Sequence, residues 1–123
     1  MADLKNKTIL VVEDEDFSYL FIYSTLIDRK AKVLRAKNGI EAIDILKENP
    51  NIDMVLMDIQ LPKMNGWDAT IKMLEINKNL KVIAQTAYAM KKQKDRCFEV
   101  GCVDYIAKPY DNNDLLRLIM KHL

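Results

Sequence analysis

Four apolar runs in this chain stop on residues able to do chemistry. Thr8 to Val12 ends on Glu13 and Asp14, and Met54 to Met57 ends on Asp58. Leu80 to Ala84 closes on Gln85, Thr86 and Ala87, and Val103 to Ala107 closes on Lys108 and Pro109. If these run ends meet, three carboxylates, a hydroxyl and an ammonium share one site. Three close carboxylates repel, so at least one would hold its proton unless a cation intervenes. A hard divalent ion, Mg2+ or Mn2+, removes that penalty and takes one or two carboxylates together with phosphate oxygens. Lys108 adds a positive point charge and Thr86 a hydroxyl donor, both suited to a phosphoryl group. Asp58 is then the nucleophile, because an aspartate can carry a phosphoryl group as an acyl phosphate.

The elements that must position these residues alternate along the chain. Thr8–Val12 reads as a buried strand. It is followed by a helix with a Tyr19, Ile22, Tyr23 and Leu26 stripe and Asp16 as N-cap. Lys32–Ala36 alternates and reads as an edge strand. A helix opening at Asn38 and Gly39 turns Ala42, Ile43 and Leu46 inward. Met54 to Met57 is continuous enough for a strand buried on both faces. A third helix follows Gly66 with a Trp67, Thr70, Ile71 and Leu74 stripe. A fourth runs from about Lys91 to Gly101, and a fifth from about Asn113 buries Leu115, Leu118 and Ile119. Five strands alternating with five helices require crossover connections and therefore a parallel sheet covered on both faces. The expected fold is α/β, a flavodoxin-like three-layer (βα)5 domain with strand order 2-1-3-4-5. In that order all five strand ends lie on one edge, and the first and third strands flank the switch point.

Composition narrows the function classes. The chain has 123 residues with 19 basic and 18 acidic side chains, a net charge of +1 that advertises neither nucleic acid nor an acidic tail. Its two cysteines, Cys97 and Cys102, are too few for a disulfide framework and read as small buried hydrophobes in a reducing, cytoplasmic setting. No apolar stretch approaches the roughly 18 residues of a membrane helix. Residues 1–6 are polar and expected to be a flexible leader, with the domain over 7–123. His122, near the end of the last helix, is expected to be structural. Lys91, Lys92 and Lys94 form a solvated basic face, and Tyr110 is expected to extend a partner-facing patch.

The run Ile9 to Asp14, the run Asp58 to Gly66, Ala84 to Ala87, and Gly101 to Pro109 together resemble the response-regulator receiver domain of two-component signalling. The resemblance implies that Asp58 accepts a phosphoryl group from a phosphohistidine on a histidine kinase or histidine phosphotransfer domain. It implies Mg2+ bound by Glu13, Asp14, Asp58 and the backbone carbonyl of Gln60, with Thr86 and Lys108 on the phosphoryl oxygens. Tyr105 matches the aromatic switch, and the surface of the fourth helix, fifth strand and fifth helix would change shape for a partner. The Lys108–Pro109 bond is expected to be cis. Gln60 and Tyr88 occupy the positions that tune loss of the phosphoryl group, and Tyr88 offers no acid to orient a water, which implies a long-lived adduct. Motif wording from Asp58 to Asn65 and from Thr86 to Met90 resembles the receivers of hybrid sensor histidine kinases. Such a module is a signalling switch, not an enzyme turning over an external substrate. Three rivals remain beside it. An aspartate-based phosphatase wants a second Asp where Gln60 stands. A nucleotide-binding domain wants a Gly-rich loop where Glu13, Asp14 and Glu15 would repel phosphate. A receiver-like contact module would lack one of Asp58, Thr86 or Lys108.

Overall fold

A computed structural model describes residues 3–87 and 90–123. The elements run β1 (Thr8–Val12), α1 (Asp16–Ile27), β2 (Lys32–Ala36), α2 (Gly39–Glu48), β3 (Met54–Asp58), α3 (Gly66–Ile76), β4 (Lys81–Thr86), α4 (Lys91–Val100), β5 (Asp104–Ala107) and α5 (Asn112–His122). All pairings are parallel, in the order β2-β1-β3-β4-β5. This is the flavodoxin-like (βα)5 arrangement expected from the sequence.

Successive strand side chains point to opposite faces, so each central strand feeds two cores. Leu10, Val12, Val55 and Met57 pack with Ala42 and Leu46 of α2, Ala69 and Met73 of α3 and Cys97 of α4. Ile9, Val11, Met54 and Leu56 pack on the other face with Ile22 and Leu26 of α1 and Leu115 and Ile119 of α5. Burial on both faces is why β1 and β3 read as unbroken apolar runs. Cys97 and Cys102 are buried, as expected of small hydrophobes.

The helix ends follow local side-chain chemistry, with one correction. Asn38, Asn65 and Asp111 each accept a hydrogen bond from the backbone N–H three residues on, and Asp111 forms a capping box with Asp114. Gly101 ends α4 at φ 106°, the left-handed conformation glycine adopts freely. The N-cap of α1 is Glu15, not Asp16: its carboxylate accepts from the N–H groups of Phe17 and Ser18. Asp16 instead reaches Arg35, at 2.9 Å.

Two stripes also differ from expectation. Tyr23 and Ile71 are 37% and 36% exposed, while Thr25 and Met73 take inward places. Residues spaced by three or four share a broad helix face, and tertiary packing selects which edge of it is covered. The leader expected over 1–6 is fastened at Leu4, which is 1% exposed and donates its N–H to the Arg29 carbonyl at 2.6 Å.

His122 closes α5 onto the start of β5, through a 2.9 Å hydrogen bond between its Nε2 and Asp104 Oδ2. Asp104 also accepts from the Tyr105 N–H at 2.9 Å and lies 3.7 Å from Lys121 Nζ. Burial opposes the Asp104 charge, but the His122 and Tyr105 hydrogen bonds and the Lys121 charge outweigh it and lower its pKa below 3.8. A depressed carboxylate contributes stability above its unfolded pKa and loses it as pH falls through the folded value. Asp104→Asn should therefore cost about 1–2 kcal/mol at neutral pH, with the gap to wild type closing as pH drops below 3.8. Urea denaturation across that range measures it, and a gap that persists in acid would refute the charge argument.

Candidate functional site

Strand register brings the reactive residues to one edge. Val12 is level with Met57, Asp58 with Gln85, and Thr86 with Ala107. Glu13 and Asp58 therefore leave the sheet side by side, and Lys108 reaches them across the end of β4 from β5. Lys108 Nζ lies 3.0 Å from Glu13 Oε1 and 3.3 Å from Asp58 Oδ2. One carboxylate oxygen from each of Glu13, Asp14 and Asp58 lies within 4.8 Å of the others. Glu13 and Asp58 are buried, at 1% and 6% exposure, whereas Asp14 is exposed at the rim.

Backbone contacts hold this group in place. Asp58 Oδ1 accepts from the Gln60 N–H at 3.0 Å. The Ile59 N–H donates to the Gln85 carbonyl at 3.1 Å, and the Lys108 N–H donates to the Thr86 carbonyl at 2.8 Å. Thr86 is itself buried beside the strand end. The Lys108–Pro109 bond is cis, as the resemblance implied. Gly66 starts α3 directly on the Asp58 strand end: a Cβ there would stand 2.5 Å from the Asp58 carbonyl oxygen and 2.7 Å from Ile59 Cα.

Arg35, near the end of β2, makes contacts to the site that the sequence did not reveal. Its guanidinium donates to the Glu13 carbonyl from Nε at 3.3 Å and Nη2 at 3.2 Å, and it lies 4.2 Å from the Tyr19 ring centroid. A planar fork that also stacks suits arginine and fastens the turn carrying Glu13 and Asp14. Nothing in the run Lys32 to Ala36 distinguished it from an exposed strand residue.

The electrostatics follow from burial. Glu13 is pushed above its ordinary 4.5 first by burial and then by the Asp58 charge, with Lys108 opposing. Burial works against the Lys108 charge, but its hydrogen bond to Glu13 and the charges of Asp58 and Glu13 hold its pKa above 10.5. Three carboxylates face one ammonium, leaving an excess of negative charge on hard oxygen donors. That donor set fits a small divalent cation, and Glu13 is the residue whose charge it would relieve.

The remaining predicted residues are more dispersed. Tyr105 is half-buried, edge-on to Phe98 with ring centroids 6.3 Å apart and with Lys94 Nζ 5.6 Å from its centroid. Gln60 is exposed at the loop after Asp58. Tyr88 lies outside the described residues. Beside the site, a groove is lined by Phe17, Ser18 and Phe21 of α1 and by Lys108, Pro109 and Tyr110. Phe17 is 81% exposed there.

Comparison with known proteins decides the family. The model of the response regulator receiver domain matches residues 9–120. This chain belongs to the response-regulator receiver family. The receiver is 34% identical over 120 residues to the polar-differentiation response regulator DivK of Brucella anthropi, covering 95% of this chain and 96% of that protein. It is similar to the receiver domain of a Pseudomonas aeruginosa sensor histidine kinase, solved with magnesium coordinated in the active-site cleft. The TM-score is 0.86 and the identity 30%, over 94% of this chain and 96% of the other. A Saccharomyces cerevisiae receiver, solved with a histidine phosphotransfer protein, superposes with TM-score 0.90 at 27% identity, over 100% and 95% of the two chains. The receiver is thus a signalling module of two-component systems, and among its described residues no helix is long and apolar enough to cross a membrane.

Proposed function

We propose that Asp58 accepts a phosphoryl group from a phosphohistidine of a histidine kinase or a histidine phosphotransfer domain. The observation that carries this reading is the Lys108 ammonium within 3.3 Å of Asp58 and 3.0 Å of Glu13, beside three carboxylate oxygens within 4.8 Å of one another. Glu13, Asp14, Asp58 and the Gln60 backbone carbonyl would hold Mg2+ or Mn2+, which supplies neutralising charge for the incoming phosphoryl group.

An Asp58 carboxylate oxygen attacks phosphorus, an O–P bond forms, and the N–P bond of the donor breaks with its electron pair returning to the imidazole. Lys108 and Thr86 bind the phosphoryl oxygens, so charge that Lys108 shares with Glu13 moves to the adduct. The new group brings about two negative charges and three acceptor oxygens. Thr86 and the chain after it are drawn toward it, Tyr105 turns inward from its place beside Phe98, and the α4, β5 and α5 surface changes for a downstream reader. The yeast neighbour's complex with a phosphotransfer protein supports a donor of that kind. The exposed aromatic face of α1 beside Lys108 suits a helix-borne phosphohistidine. The proposed setting is cytoplasmic, as a stand-alone regulator or within a hybrid kinase.

Incubation with acetyl phosphate and Mg2+, followed by mass measurement, tests the reading. Wild type should gain one phosphoryl group, and excess EDTA should prevent the gain. An unchanged mass would replace this reading with a contact-only module. Tyr88, two residues after Thr86, offers no acid to orient an attacking water, so the adduct should persist for minutes or more. Decay within seconds, followed by the same mass measurement, would overturn that lifetime.

A further inference from the structure

Gln85 is wholly buried in β4, where Val82, Ile83 and Ala84 are apolar. Its Oε1 accepts a hydrogen bond from the Tyr110 hydroxyl, and its Nε2 has no partner among the described residues. A half-satisfied buried amide destabilises a fold relative to an apolar side chain of similar shape. Stability alone therefore gives no reason for a glutamine here.

Its position gives one. Gln85 is level with Asp58 on one side and Ile106 on the other. Its carbonyl already holds the Ile59 N–H, and the neighbouring Thr86 carbonyl holds the Lys108 N–H. The Tyr110 hydroxyl, two residues beyond Lys108, adds an attachment through the Gln85 side chain, on the face of the sheet that α1 and α5 cover. The stretch carrying Lys108 is thereby fastened to β4 before and after Pro109. The Tyr110 ring is braced in turn by Phe21 of α1, with centroids 6.0 Å apart. Burial and the charges of Glu13 and Asp58 push the Tyr110 pKa upward, so its hydroxyl remains a donor at neutral pH.

We infer that the Tyr110–Gln85 hydrogen bond is a positioning device for Lys108, fixing the backbone from which its ammonium reaches both Glu13 and Asp58. Neither residue touches the reacting atoms. The inference rests on the phosphoacceptor reading of Asp58, and displacement of the lysine by a fraction of an ångström is enough to slow transfer.

Tyr110→Phe, Gln85→Leu and the double variant separate positioning from packing. Each is measured for urea midpoint and for initial rate of phosphoryl gain from acetyl phosphate with Mg2+. Each single variant leaves a buried polar group unpaired and should lose stability. The double variant leaves none and should regain most of it. The rate should stay about 5-fold below wild type in all three. A double variant that recovers both stability and rate overturns the inference. Should Gln85→Leu fail to fold, Tyr110→Phe in a Lys108→Ala background carries the test. It should slow transfer no further there, and an additional loss overturns the inference. Wild type that gains no phosphoryl group removes the phosphoacceptor reading itself, whereas a reactive wild type matched by the double variant removes only this inference.

Discussion

Asp58→Ala should abolish phosphoryl gain from acetyl phosphate while making the metal-free protein more resistant to urea. Loss of transfer follows from removing the oxygen that attacks phosphorus, since among the described residues no other buried carboxylate offers the same approach: Glu13 is turned to Lys108 and to the Glu15 N–H. The gain in stability follows from the same cluster. Two buried carboxylates share one ammonium, and Glu13 is already pushed up by burial and by Asp58. Removing one charge leaves Lys108 paired with Glu13 and ends the repulsion, a net gain of about 1 kcal/mol after the lost Asp58 contacts to Lys108 and to the Gln60 N–H. Because the folded pKa of Glu13 lies above 4.5, metal-free wild type should lose stability as pH rises from 4.5 through that folded value. The variant should lose less over the same range. Millimolar Mg2+ should raise the melting temperature of wild type more than that of the variant. A variant less stable than wild type without metal would show that the Lys108 contact outweighs the repulsion.

Gly66→Ala should cost about 2–4 kcal/mol and lower the phosphorylation rate. On helix propensity alone the change would stabilise α3 by up to about 1 kcal/mol, so the sign is diagnostic. The obstacle is space. The added methyl would stand 2.5 Å from the Asp58 carbonyl oxygen and 2.7 Å from Ile59 Cα, and both are backbone atoms at a central strand end. Neither can swing aside as the tip of a side chain would. The Gly66 N–H also donates to the Ile59 carbonyl at 3.0 Å, so relief means moving α3 or the end of β3. Either movement displaces Asp58. Gly39→Ala is the internal comparison: its nearest neighbours, the Cβ atoms of Ala69 and Met64 and the Met64 carbonyl oxygen, lie at 3.0 to 3.1 Å, so a far smaller displacement relieves them than at Gly66. Urea denaturation of the two variants orders them. A Gly66→Ala protein as stable as wild type would mean that the loop after Asp58 yields without cost.

Sequence and structure contribute differently to this protein. The fold was legible because two-sided burial makes β1 and β3 continuous apolar runs, and because such strands alternating with helices can form only a parallel sheet. The core of the site was legible for the same reason: parallel strands end on one edge, so Glu13, Asp14, Asp58, Thr86 and Lys108 had to meet there. What escaped the sequence depends on rotation and distance. Glu15 rather than Asp16 caps α1 because Asp16 is drawn to Arg35 across the β2 end. Tyr23 and Ile71 face outward because neighbours cover other edges of their helices. Gln85 in an apolar strand was the one signal of the Tyr110 link, but its partner lies 25 positions on, and no periodicity relates the two. Lys108 and Glu13 are 95 positions apart. The amino-acid order determined by itself which groups would reach the sheet edge. Only the tertiary structure decided which of them touch, because contacts between distant residues depend on strand register, helix rotation and the close approach at Gly66.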